Sequence, residues 1–238
     1  AALVAETGRT YPKRHGTTNA HLGRPSVRNL LLRLSGSIVA VIGLWTLVWL
    51  PLALSEGAAA EPQEQILGDP NAPVTIIEYA SLTCPHCAQF HTEVLPELKE
   101  RYIATGKVRL IYRDFPLDQM ALAAATLAHC SGPDRYFSML DVLFETQANW
   151  ARADDPIAAL KRLGKLGGLS EEKMDACLAD QELADGILQT RLDGQNEFDI
   201  SSTPSFVIDG KTYAGSRDID AFAELIDSRD RIAANLLA

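Results

Sequence analysis

The chain has 238 residues, of which 47% are hydrophobic and 22% charged, which is enough to bury the core of one domain, or of one domain carrying an insertion. Its formal charge of −9 conceals an asymmetry: six of the 22 basic residues precede residue 34, while only Glu6 and Glu56 of the 31 acids precede residue 61. Residues 61–238 therefore carry 16 basic and 29 acidic side chains, a net of −13, and that balance excludes a phosphate-backbone footprint and a nucleic-acid partner.

In chain order, residues 1–33 form a basic leader that contains Arg9, Lys13, Arg14, Arg24, Arg28 and Arg33. The 22 residues from Leu34 to Ser55 carry no charge. Such a run behind a basic flank places that flank in the cytoplasm and sends the rest of the chain outward. It is long for a signal core and long enough to span a bilayer, yet the small-residue patterns Ala53-Leu54-Ser55 and Ala58-Ala59-Ala60 follow it directly, as a cleavage site would. Residues 34–60 are accordingly expected to be a signal peptide, with a membrane anchor through 34–55 as the alternative, and they are set apart from the fold.

After an acidic, Ala-rich link, the turn chemistry of Gly68-Asp69-Pro70-Asn71-Ala72-Pro73 ends in the apolar run Val74 to Tyr79, read as a buried strand. From Cys84 to about Tyr102 the apolar residues Phe90, Val94, Leu95, Leu98 and Tyr102 recur near helical spacing, with Pro85 suited to the first helical position and Pro96 expected to kink the helix. Gly106 breaks it, and Val108 to Tyr112 reads as a second strand closed by Phe115-Pro116. Strand, helix and strand in this order imply a right-handed parallel crossover.

From residue 118 to 196 the pattern is helical throughout, with helices expected at 118–130, 134–147, 155–166, 170–179 and 181–194. Ser205 to Tyr213 reads as a hairpin turning at Asp209-Gly210, and a last helix is expected at 217–235. The order predicts an α/β, thioredoxin-like fold: residues 61–117 and 197–238 make the thioredoxin-like domain, and 118–196 form an all-helical insertion domain that caps the site.

Cys84 and Cys87 stand in a Cys-x-x-Cys spacing that also serves zinc and haem. Haem attachment needs a His after the second Cys, and residue 88 is Ala; zinc needs two more ligands at matching spacing, and Cys130 and Cys177 are isolated. A strand feeding a helix that begins at the first Cys suits a redox pair. At that helix start, unpaired N–H groups and the positive end of the dipole stabilise a Cys84 thiolate, and His86, on the same turn, can add a positive charge or a hydrogen bond. Stabilising the thiolate stabilises the dithiol, which makes the disulfide oxidising. Cys87, one turn in, is the buried member. His91 and His129 read as histidines on a helix surface or in a satisfied local contact.

The segments Glu78-Tyr79-Ala80-Ser81-Leu82-Thr83-Cys84-Pro85-His86-Cys87 and Ser202-Thr203-Pro204-Ser205-Phe206 resemble the DsbA family of bacterial periplasmic thiol-disulfide oxidoreductases. The resemblance implies that Pro204 is the family's cis-proline opposite the redox pair, that Thr203 offers backbone groups to an extended substrate, and that Glu78 is the family's buried acid. On spacing alone, Glu78 lies either at a wet edge or buried near neutral and able to relay the Cys87 proton.

The resemblance further implies a periplasmic protein that exchanges its Cys84–Cys87 disulfide with reduced or unfolded exported proteins and is reoxidised by a membrane DsbB-like partner, with no cofactor and no metal. A disulfide reductase or isomerase is the enzymatic alternative, and a copper-binding thioredoxin-like module the non-enzymatic one. Cys130 and Cys177, in different predicted helices, are expected to pair as a structural disulfide in an oxidising compartment; a second redox couple and free buried thiols are the alternatives.

Overall fold

The computed structural model describes the backbone of residues 62–237 and the surroundings of side chains up to residue 229. The basic leader and the apolar segment 34–60 lie outside the described residues. Five strands form one sheet in the order β1-β3-β2-β4-β5: β1 is Gln65–Leu67, β2 Val74–Ala80, β3 Val108–Asp114, β4 Ser205–Ile208 and β5 Lys211–Ala214. The β2 and β3 strands are parallel, as the crossover requires, with Glu78 opposite Tyr112. The β4 strand adds antiparallel on the other side of β2. The link before Gly68 proves to contain β1, antiparallel to β3, a strand of three residues, too short to show alternation.

The crossover helix α1 covers residues 85–103. It is built of α turns at Pro85–Gln89 and Leu95–Leu98 alternating with π turns at Phe90–Val94 and Lys99–Ile103. Pro96 has no N–H to give, and just before it the ladder widens: Leu95 N donates to Phe90 O, five residues back.

Between β3 and β4 run α2 (Gln119–Cys130), α3 (Tyr136–Glu145), α4 (Gln147–Ala151), α5 (Pro156–Leu166), α6 (Glu171–Leu178) and α7 (Gln181–Phe198). Their starts follow capping chemistry. Asp118, Asp155, Ser170 and Asp180 each accept a backbone N–H from the first turn, and Pro156 stands at the first turn of α5. The predicted helix 134–147 divides into a short 3-10 turn, α3 and α4, because Thr146 departs from helical dihedrals. The predicted 181–194 extends to Phe198, where Asp199 takes a left-handed cap. Asp209 and Gly210 both have positive φ and turn the hairpin, and α8 (Ile219–Leu237) closes the fold.

Alternation along β2 assigns the layers. Val74 and Ile76 pack with Phe90, Leu95 and Leu98 of α1 and with Phe222 and Ile226 of α8. Tyr79 points to the other face and packs with Phe115, Ile200 and Phe198. The helical block α2–α7 supplies a separate cluster, which takes in Ala80, Tyr112, Cys84 and Cys87. That cluster meets the sheet at the carboxyl ends of β2 and β3, where a doubly wound sheet leaves room for a site.

Candidate active site

Cys84 has extended dihedrals and Pro85 takes the first helical position, so α1 starts one residue after the sulfur. The Cys84 carbonyl accepts from Cys87 N and Ala88 N, each at 3.1 Å. Both cysteines are free thiols, Cys84 at 6% and Cys87 at 0% relative exposure, so the inner position of Cys87 is what the helical register dictates. Thr203-Pro204 is a cis peptide, and the Cys84 thiol donates to Thr203 O at 3.4 Å. The β2–β4 pairing, which sets Tyr79 opposite Ser205, brings this loop to the redox pair.

The two thiols are driven apart in acidity. Cys84 falls from its ordinary value of 9.0 to about 5, first because the Cys87 thiol donates to its sulfur; burial opposes this, and the Thr203 side chain and the N–H groups of Cys87 and His86 add to the lowering. Burial pushes Cys87 far up, reinforced by its bond to Cys84 and by the Cys84 and Glu78 charges. His86 itself is exposed, and the contribution the structure gives it is its backbone N–H.

Glu78 is completely buried. The wet-edge alternative fails because β2 is central, flanked by β3 and β4. Its partner is His91, whose Nε2 stands 3.1 Å from each carboxylate oxygen. The surface reading of His91 is therefore corrected: the ring is buried and stacks on Phe144 with centroids 4.0 Å apart. The signal was in the sequence, since His91 follows Cys87 by four and precedes Leu95 by four, on the buried face of α1. His129 is in a local contact, with Nε2 2.7 Å from Asp114 Oδ2.

Gln147 also escaped sequence reasoning. It falls at helical spacing with Leu140, Leu143, Phe144 and Trp150, all buried, and its amide reaches the carbonyls of Leu82 and Cys84. Cys130 of α2 and Cys177 of α6 are joined by a disulfide, with Cα atoms 6.2 Å apart.

A parallel β–α–β unit with a Cys-x-x-Cys at the helix start, facing a cis-proline loop, defines a thioredoxin-like dithiol protein, here interrupted by an all-helical insertion. A family model described as thioredoxin matches residues 60–228. Wolbachia pipientis alpha-DsbA1 superposes with a TM-score of 0.68 at 35% identity, covering 74% of this chain and 96% of that one; the chain belongs to the DsbA family of thiol-disulfide oxidoreductases. A Rickettsia felis protein named as a protein-disulfide oxidoreductase is 31% identical over 168 residues, 70% of this chain and 60% of the relative. The chain thus spans about three fifths of the length of such curated relatives. Bacillus subtilis BdbD, at 22% identity and a TM-score of 0.63 over 70% of this chain and 92% of that one, shares the fold.

Proposed function

We propose that the chain is an exported dithiol oxidase that forms disulfides in reduced or unfolded proteins. The observation that carries this reading is the split between the two thiols: Cys84 lowered to about 5 and Cys87 driven upward. Each unit of thiolate stabilisation is worth about 1.4 kcal/mol, and it favours the dithiol, which makes the Cys84–Cys87 disulfide a good electron acceptor.

In the proposed cycle a substrate thiolate attacks Cys84 Sγ of the disulfide, forming a substrate–Cys84 bond and expelling Cys87 as a thiolate. Cys87 takes up a proton, for which the buried Glu78 is the nearby relay, consistent with the influence of the Glu78 charge on it. A second substrate thiolate then attacks the substrate sulfur of the mixed disulfide, releasing Cys84 as its stable thiolate. Two electrons pass to the pair and one substrate disulfide forms. Pro85 starts the helix at Cys84, His86 supplies an N–H and an exposed ring, and Thr203 with Pro204 presents backbone to an extended substrate strand.

Residues 61–117 and 197–238 act as the redox domain and 118–196 as its helical cap. The segment 34–60 directs export to the periplasm, by cleavage or as a tether, and a membrane DsbB-like partner reoxidises the dithiol. Equilibration with glutathione tests the direction. A potential well above about −200 mV is expected for an oxidase, whereas one near thioredoxin's, about −270 mV, would assign a reductase instead.

A further inference from the structure

The loop that carries Cys84 is held from the helical block as well as from the sheet. Gln147, the first residue of α4, is buried, and its Nε2 lies 2.8 Å from Leu82 O and 2.9 Å from Cys84 O. Both partners are carbonyl oxygens, which only accept, so the orientation of the amide is determined: its NH₂ faces the loop and gives one N–H to each. On the flank of the same loop, Thr83 Oγ1 donates to Asp118 Oδ2 at 2.7 Å, while Asp118 Oδ1 caps α2 through Ala121 N. Residues 82–84 are thus tied to the block at two points, and disulfide exchange as described above uses neither.

The local chemistry calls for such a donor. The peptide unit between Cys84 and Pro85 presents a carbonyl but no N–H, so beside the sulfur it offers a negative dipole end with no matching positive one. A thiolate there is disfavoured by neighbouring carbonyl oxygens and favoured by N–H groups. An N–H given into each carbonyl places partial positive charge behind it and, inside the protein, offsets the dipole more strongly than water could. With the carbonyl of Cys84 held by Gln147, Cys87 N and Ala88 N together, the first turn of α1 is also kept where its N–H groups meet the sulfur.

We propose that Gln147 is a positioning residue for the Cys84 thiolate, through which the helical block sets the electrostatics of the redox loop. This rests on the reading of Cys84 as the thiol whose thiolate is stabilised, and it adds that part of that stabilisation depends on a side chain of the insertion.

The test is Gln147→Leu in the whole chain, read by the ultraviolet absorbance of the Cys84 thiolate against pH and by equilibration with glutathione. Loss of both donors raises the Cys84 transition by about half a unit to one unit and shifts the glutathione equilibrium toward the disulfide by about three- to tenfold. Gln147→Glu, which sets a carboxylate against two carbonyl oxygens, moves both further in the same direction. Should the Leu variant fail to fold, Gln147→Asn, with its amide one methylene too short to reach both carbonyls, is read in the same two ways. A lowered melting temperature with unchanged titration and unchanged glutathione equilibrium overturns the proposal and leaves Gln147 a structural clamp. A wild-type Cys84 that titrates as an ordinary thiol removes the underlying reading, and this proposal with it.

Discussion

His91 Nε2 bridges both carboxylate oxygens of Glu78 at 3.1 Å, with the two side chains buried beneath the redox helix. One ring nitrogen thus meets both oxygens of an acid that β2 cannot expose, while Nδ1 is buried without a partner. Taking one member away leaves the other stranded. His91→Phe, which keeps a ring against Phe144, is expected to cost about 3–5 kcal/mol. The double variant Glu78→Gln/His91→Phe recovers part of that loss, since no carboxyl group is then left buried without its partner. Urea denaturation of the four proteins measures the coupling; additive losses would show that the pair does not interact.

The Cys84 thiolate makes the stability of the reduced protein depend on pH. Its folded value, about 5, lies below the ordinary 9.0, so it is a depressed acid. Its stabilisation is complete above about pH 9, shrinks as the pH falls, and is lost below about pH 5. The oxidised protein lacks this group. The melting temperature of the dithiol form relative to the disulfide form is therefore expected to fall as the pH drops from 9 to 5 and to level off below that. A difference independent of pH in this window would contradict the assignment.

The Cys130–Cys177 bridge closes a loop with a sequence separation of 47, for which the chain-entropy model gives about 4 kcal/mol. Replacing both cysteines by serine is expected to lower stability by up to about that amount, read by denaturant melts. The Cys84 titration should stay where it is, because the bridge joins α2 to α6, and neither cysteine is among the groups that set the Cys84 thiol. A shift in that titration would give the bridge a second role.

Gly194 sits where α7 crosses Tyr79, and a Cβ there would run into the Tyr79 ring. The ring is fully buried and edge-on to Phe115, so it has little room to yield. Gly194→Ala should cost about 1–3 kcal/mol through overpacking, against the gain of a few tenths to one that the same change gives on an exposed helix face. Equilibrium unfolding distinguishes the two signs.

Local signals carried much of this architecture. The turn before Val74, the apolar runs of β2 and β3, the break at Gly106 and the Asp209-Gly210 hairpin are set by backbone chemistry within a few residues, and the structure keeps them near where the sequence puts them. So it is with Cys84 at a helix start, because Pro85 and the apolar spacing behind it leave little choice. By contrast, β1 exists only because β3 is there to pair with it, and the division of 134–147 into separate helices turns on Thr146, whose backbone leaves the helical region without a Gly or Pro to mark it.

What the sequence by itself determined is the redox pair, its place at a helix start, and the family likeness carried by residues 78–87 and 202–206. What only the tertiary structure decided is the company that pair keeps. Glu78 could have faced water until β4 took the other side of β2 and buried it; His91 then became its partner; and Gln147, 63 residues from Cys84, came to hold the redox loop. Spacing along a chain reports which side chains share a face. Which of them meet across elements depends on how separate faces close over one another, and no local pattern contains that.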